Sequence, residues 1–313
     1  MDSIIISILA LLVLFYLLGK SADLAIINLR AIAKKLGIGI FFLGLIMGFF
    51  TSFPELAIGI NAIINDIQNV SLGNLFGGTM VLFGLIFGIN IFLQRKIKSE
   101  QNITQMFLIL VFLLIPVFLG MNGVLGVLEG LIIIFSYFIL IFIIYNKQKN
   151  KINLPHLLDR RGLMKNIFLA LLGIILILII ANFTIEITSD LLSLLPLSNF
   201  VVGILIFAIG TNFPEIIVAI RAWKNKIKGL SLSNLLGSGM ANILIVGVFS
   251  VIRPFYINID ISYYLLLGGM MFLFLFILFF YHTDKCLKRG EGLILILIYL
   301  LFVVLQIVFE KPV

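Results

Sequence analysis

The chain has 313 residues, of which 62% are hydrophobic and only 12% charged, with a mean hydropathy of +1.25. This composition excludes a water-soluble globular protein and places the chain in a bilayer as a single membrane domain. A net charge of +8 would point to nucleic acid in a soluble protein. Here its distribution reports topology, and no nucleic-acid partner is expected.

Taken in order, apolar stretches near or above the ~18–20 residues that cross a bilayer predict ten spans, at about 4–19, 38–64, 71–93, 103–120, 124–145, 166–184, 200–222, 231–252, 261–282 and 291–308. The first, Ile4 to Gly19, reads as a retained helix and not a signal peptide. Asp2 stands where a basic start belongs, and Gly19-Lys20-Ser21 is a poor cleavage site. The second and seventh spans contain Pro54 and Pro214, each of which should break its helix by removing a donor and crowding the carbonyl four residues back. A basic linker, 146–165, separates a first half, 1–145, from a second, 166–313. The single Cys286 excludes an internal disulfide, and His156 and His282 stand alone with no metal-ligand spacing.

The two halves repeat. Thr51-Ser52-Phe53-Pro54-Glu55 returns 160 residues later as Thr211-Asn212-Phe213-Pro214-Glu215. Ser71-Leu72-Gly73-Asn74-Leu75-Phe76-Gly77 returns as Ser231-Leu232-Ser233-Asn234-Leu235-Leu236-Gly237. Of the thirty positions from Thr51 to Met80, fourteen match their partners at that offset. Five spans per half is an odd number, so the second half must enter the membrane inverted. Charge agrees: of the 22 basic residues, all but Arg253 and Lys311 fall on one side of the predicted topology. By the positive-inside tendency that side is cytoplasmic and both termini face outward. Asn61 to Val70 holds one charged residue, Asp66, whereas its counterpart Arg221 to Leu230 holds Arg221, Lys224, Lys226 and Lys228. The fold class expected is an all-α integral membrane protein of ten transmembrane helices, arranged as two inverted five-helix repeats with helices 2 and 7 broken.

Glu55 and Glu215 lie near the middle of their spans, where a charged side chain costs about 2.5–3.5 kcal/mol on insertion scales. Each therefore needs a proton, a wet cavity or a bound cation. Broken-helix carbonyls, the Thr51 and Thr211 hydroxyls and the amides of Asn74 and Asn234 supply further oxygen. Oxygen-only ligation suits a hard cation such as Ca²⁺ or Na⁺. Ser238 and Asn242 are one helical turn apart on one face. Crossing the two broken helices at the repeat interface would bring both glutamates to a shared midplane site, a recurrent transporter arrangement. Singly, a membrane proline is a kink and an intramembrane asparagine is packing glue; repeated at one offset in inverted halves, they read as an ion site. Glu129 and Glu186 read as interface or helix-end residues, and the 30 phenylalanines as lipid-facing and core bulk.

These residues resemble the two α-repeats of the calcium/cation antiporter superfamily, which includes the sodium/calcium exchangers. The family pattern is roughly G-T-S-x-P-E followed by S-x-G-N-x-x-G-S-N-x-x-N/D in each half, and the resemblance is specific around 44–90 and 203–250. It implies that spans 2, 3, 7 and 8 line the site and that long tilted helices 1 and 6 slide to alternate access. Its cation ligands fall on Thr51, Glu55, Thr211, Glu215, Ser238 and Asn242, with Ser52 and Asn212 beside them. Departures are Phe50 for Gly, Gly78 for Ser, Thr79 for Asn and Leu82 for the closing Asn in the first half. In the second half they are Asn212 for Ser, Ser233 for Gly and Gly239 for Asn. The first repeat thus loses a hydroxyl and an amide oxygen, and the family's usual three-sodium stoichiometry does not carry over.

The expected function is a secondary antiporter exchanging Ca²⁺ for Na⁺ or H⁺, not an enzyme. It needs no cofactor, since the ions are cargo, and no protein partner beyond membrane lipid. Two alternatives stand beside it: a monovalent cation/proton exchanger, and a non-transporting scaffold or sensor keeping the fold. The Asn146–Lys165 linker is too short for a large regulatory calcium-sensing domain, and a prokaryotic plasma membrane suits the compact length.

Overall fold

The computed structural model describes residues 2–35, 40–94, 96–98, 103–148, 160–192, 198–224, 228–284 and 286–309. Nearly all of them are helical. The helices are α1 (Asp2–Lys35), α2 (Ile40–Thr51), α3 (Phe53–Ile64), α4 (Gln68–Gln94), α5 (Ile103–Leu119), α6 (Val127–Gln148), α7 (Arg160–Leu192), α8 (Asn199–Thr211), α9 (Phe213–Lys224), α10 (Lys228–Ile252), α11 (Ile261–Asp284) and α12 (Arg289–Phe309). The strands are β1 (Lys96–Lys98), β2 (Val124–Leu125), β3 (Phe255–Tyr256) and β4 (Cys286–Lys288). With α2–α3 and α8–α9 each counted as one kinked span, these give the ten expected crossings. Nine stretches among the described residues are long and apolar enough to cross alone, and Asn199–Thr211 is a shorter one completed by α9.

The predicted interruptions are one-residue kinks. Ser52 sits between α2 and α3 at φ −83°, ψ 9°, and Asn212 between α8 and α9 at φ −83°, ψ 13°. Helical bonding resumes at once, with Leu56 N donating to Ser52 O at 3.1 Å and Ile216 N to Asn212 O at 3.2 Å. Two other helices exceed their predicted lengths. The expected spans 4–19 and 166–184 lie inside α1 and α7, which run over 34 and 33 residues. Lys20, Arg30, Lys34 and Lys35 therefore ride on α1 and are not in a loop. A basic residue ends an apolar run without ending the hydrogen-bond ladder, and Lys is a good helix former. Exposed Lys20 reaches back over the Tyr16 ring, 5.5 Å from its centroid. His156 and the middle of the expected linker lie outside the described residues.

Strand pairing displays the inversion. β1, between α4 and α5, pairs with β4, between α11 and α12; β2, between α5 and α6, pairs with β3, between α10 and α11. Helix α5 joins β1 to β2, so the two small sheets cap opposite faces of the bundle. At the 160-residue offset, β1 corresponds to the β3 region and β2 to the β4 region, so each sheet is the inverted image of the other. The β1–β4 face carries Lys96, Lys98 and Lys288. On the other face Arg253 ion-pairs with Asp66 and donates to Ile63 O at 3.0 Å, tying the C-terminal end of α10 to the turn between α3 and α4. Glu129 is a helix-end residue: its Oε2 accepts from Gly126 N at 2.9 Å at the start of α6, as Glu291 Oε2 accepts from Lys288 N at 2.7 Å at the start of α12. Glu186 is exposed on α7.

Burial ranks the helices. Spans α4 and α10 are 83% and 78% buried, whereas α1 and α7 are 33% and 29% buried and pack along one another at the periphery. Small residues let the central helices meet at backbone distance, as membrane packing favours. A Cβ on Gly48 of α2 would lie 2.3 Å from Ser238 N and 2.5 Å from Asn234 O of α10. One on Gly203 of α8 would lie 2.3 Å from Val70 O and 2.7 Å from Asn74 N of α4. Gly48→Val should therefore lower the melting temperature of the detergent-solubilised protein, at a cost of about 1–3 kcal/mol or more. Gly268→Ala, with nothing within 4 Å of its added carbon, should leave it unchanged. Equal melting curves for both would show that α2 and α10 do not meet this closely.

Candidate cation site

The two kinks put equivalent chemistry in equivalent places. Thr51 and Thr211 are the last residues of α2 and α8, while Glu55 and Glu215 lie in the first turns of α3 and α9. Helix C-termini thus present carbonyls, and helix N-termini steady the carboxylates. All eight predicted site residues are buried: Glu55, Glu215, Asn212 and Asn242 have no exposed surface, Ser52 and Ser238 are 1% exposed, and Thr51 and Thr211 2% and 4%.

The structure brings them together across the repeats. Glu55 and Glu215 are close enough for a charge on one to be felt by the other. Each threonine faces the glutamate of the opposite repeat, Thr211 toward Glu55 and Thr51 toward Glu215. Thr211 Oγ1 nevertheless has its acceptors elsewhere, at Asn74 Oδ1 (3.2 Å) and Phe207 O (3.0 Å). Ser238 Oγ donates to Glu215 Oε1 at 3.1 Å and lies 3.1 Å from Thr51 Oγ1. Gly48 O lies within hydrogen-bond reach of three hydroxyls, Ser52 at 3.0 Å, Thr51 at 3.1 Å and Ser238 at 3.3 Å, the last being an alternative to Glu215 for the single Ser238 proton. A hydroxyl that donates to a carbonyl keeps its lone pairs for a cation.

What remains unpaired defines the chemistry. Both oxygens of Glu55, Oε2 of Glu215, Oδ1 of Asn212 and both polar atoms of Asn242 and Asn234 are buried without a hydrogen-bond partner. Buried acceptors are normally satisfied, and leaving one unmade costs about 1–3 kcal/mol. Among the residues whose burial is described, no Lys, Arg or His is buried. A hard cation would satisfy the carboxylate and amide oxygens together.

The departures from the repeat consensus are now legible. Leu82 has joined the apolar core with Phe83 and Phe87, and Thr79 Oγ1 donates to Leu75 O of its own helix at 3.1 Å. Gly78 lies against both amides: an added Cβ would sit 3.0 Å from Asn242 Nδ2 and 3.1 Å from Asn212 Nδ2. Asn212 also donates to Ala208 O at 2.7 Å. The longer side chain at 212 thus occupies room that the missing side chain at 78 leaves. Phe50, in place of a glycine, packs against Phe49 and Phe53. Sequence reasoning missed Gly48, whose carbonyl gathers the hydroxyls; a backbone acceptor leaves no residue-type signal, although the close α2–α10 approach demands a glycine there.

Comparison with known proteins follows the same lines. Residues 6–146 and 165–308 match the family described as sodium/calcium exchanger protein. The sodium/calcium exchanger MaX1 of Methanosarcina acetivorans is 26% identical, over 96% of this chain and 98% of its own. The solved structure of the exchanger NCX_Mj soaked with Na⁺ and Sr²⁺ superposes with a TM-score of 0.76 at 20% identity, covering 95% of this chain and 97% of the other. The same protein soaked with Na⁺ and Ca²⁺ gives 0.74 at 21% identity, over 96% and 98%.

The contact at Gly78 generates a prediction. Gly78→Ser alone should lower thermal stability by pressing its Cβ on the two amides, and combining it with Asn212→Ser should recover part of the loss. A coupling of about 0.5–3 kcal/mol is expected in the double-mutant cycle; strictly additive effects would show that the two positions do not share this space.

Proposed function

The chain belongs to the sodium/calcium exchanger protein family, and on that premise we propose that it is a secondary antiporter moving Ca²⁺ against Na⁺ or H⁺ through the site between the two kinked spans. The observation that carries this reading is the meeting of Glu55 and Glu215, one from each inverted repeat, as buried neighbours with unsatisfied oxygens. Glu55 and Glu215 hold the cation's charge. Thr51, Thr211 and Ser238 supply hydroxyl oxygen, Asn212 and Asn242 amide oxygen, and Ser52 braces the Gly48 carbonyl beside them.

Two carboxylates facing each other repel unless a divalent cation, monovalent cations or protons lie between them. The site therefore favours a loaded state over an empty one, which is the basis of exchange in place of leak. Neither carboxylate touches solvent, so cargo leaves only when helices move. Helices α1 and α7 are suited to that movement. They are peripheral, and they approach at backbone distance where a Cβ on Gly173 would lie 2.6 Å from Ala25 N. The pair would slide as a unit against the buried remainder, opening the site to either side. The two repeats, 1–145 and 166–313, contribute one acid each. We place the basic β1–β4 face in the cytoplasm and both termini outside, in a prokaryotic plasma membrane, on the sidedness of the basic residues. The process is binding and movement with no covalent step, so no enzymatic activity is proposed.

A second reading, a monovalent cation/proton exchanger, draws on Gly78 and Leu82, which leave the first repeat poorer in oxygen than the second. Proteoliposomes decide between them. A Na⁺ or proton gradient should drive ⁴⁵Ca²⁺ uptake well above protein-free vesicles, Glu55→Gln and Glu215→Gln should each reduce it to background, and Glu186→Gln should not. Gradient-driven Na⁺/H⁺ exchange without Ca²⁺ uptake would favour the second reading.

A further inference from the structure

Beside the β2–β3 ribbon, on the face opposite the basic β1–β4 ribbon, the surface opens into a cavity of about 270 Å³ that the cation site does not use. Three segments wall it: the first turn of α4 through Asn69, the start of α8 through Ser198, Asn199 and Phe200, and the β3–α11 connection through Ile257, Asn258 and Asp260. We propose that this cavity binds a small organic ammonium ion. The Asp260 carboxylate takes its charge, the Asn69, Asn199 and Asn258 amides accept from its N–H groups, and Phe200 and Ile257 cover its carbon part.

The lining selects this class of ligand. Asp260 is the one charged residue in the wall, and it is exposed, so the cavity carries a single negative charge open to the medium. Its Oδ1 caps α11 by accepting from Tyr263 N at 3.0 Å, and Ser198 Oγ caps α8 by accepting from Val201 N at 3.3 Å. Both caps satisfy helix N-termini that would otherwise draw an anion. Asn69 Oδ1 is buried with no hydrogen-bond partner, an acceptor that an entering N–H donor would satisfy. The half-buried Phe200 ring leans on the Tyr263 ring, 6.2 Å between centroids and tilted by 31°, and an aromatic face attracts a cation. Size separates an organic cation from a bare metal ion. The cavity has room for about nine waters, whereas Ca²⁺ needs about six to eight oxygens closed around it at about 2.3–2.6 Å.

A floor of backbone separates the cavity from the carboxylate pair. Just beneath it α4 and α8 touch: a Cβ on Gly73 would lie 2.1 Å from Phe200 O, and one on Gly203 would lie 2.7 Å from Asn74 N. Asn74, about 7.5 Å along α4 from Asn69, belongs to the other side of that floor, where its Oδ1 accepts from Thr211 Oγ1. The ammonium ion therefore stands apart from the transported ions, and its binding does not depend on the exchange reading.

The test is a titration of the detergent-solubilised protein with benzylammonium, following the melting temperature, with benzyl alcohol as a neutral control of similar shape. Benzylammonium should raise the melting temperature with a dissociation constant of about 1 mM, and benzyl alcohol should not. Asp260→Asn keeps a good N-cap at the start of α11 and should weaken binding about threefold to fivefold, as loss of an exposed ion pair does. Phe200→Leu removes the aromatic face, keeps apolar bulk and should also weaken it. Glu215→Gln should bind as the native chain does. No shift, equal shifts from ammonium and alcohol, or undiminished binding in Asp260→Asn and Phe200→Leu would overturn the proposal. Loss of binding in Glu215→Gln would place the ammonium at the carboxylate pair and overturn it as well. Repeating the titration in phosphatidylethanolamine nanodiscs separates two sources of an ammonium group: loss of the shift there assigns the cavity to the lipid headgroup, and a retained shift assigns it to a soluble amine.

Discussion

Two carboxylates held inside a membrane protein, with no buried base among the residues whose burial is described, set the terms for the rest of the molecule. Bare, they repel one another and lack the water that would stabilise them. On the proposed reading, the fold retains them by bringing a cation or protons to that point, and the oxygens around them would receive one. Every neighbouring feature serves this need. The one-residue kinks aim helix C-termini and hydroxyls into the site, and the glycine contacts let α2 and α10, and α4 and α8, approach closely enough to enclose it.

The inverted repeat supplies the glutamates symmetrically and the remaining ligands unequally. Thr51 engages Ser238, whereas Thr211 engages Asn74; Ser238 reaches Glu215, whereas Gly78 has nothing to offer Glu55 and makes room for amides. Oxygen has shifted toward the second repeat while the acid count has stayed even. On the proposed exchange reading, the acids would set how much charge the site carries and the neutral ligands which ion fits.

Much of this could be read from the residues. The 160-residue offset between Thr51–Glu55 and Thr211–Glu215 revealed two halves, the odd span number and the sided lysines and arginines revealed their inversion, and all eight nominated site residues are buried where the halves meet. Helix length was harder. Lys20 and Arg30 end the apolar run but not the helix, so α1 extends to Lys35, and α7 likewise outruns its apolar part. Hydropathy measures contact with lipid, whereas the backbone ladder continues as long as each residue tolerates it. The Gly48 carbonyl was invisible for a different reason: an acceptor present in every residue acquires meaning only when three hydroxyls are folded onto it.

The most direct measurement is crystallographic. Sr²⁺, a heavier divalent ion with a strong anomalous signal, can replace Ca²⁺ in crystals of the protein. A single anomalous peak between Glu55 and Glu215, within about 2.3–2.6 Å or slightly more of oxygens from both, is the predicted result. Peaks confined to the surface, with the two side chains turned apart or toward lipid, would contradict the account.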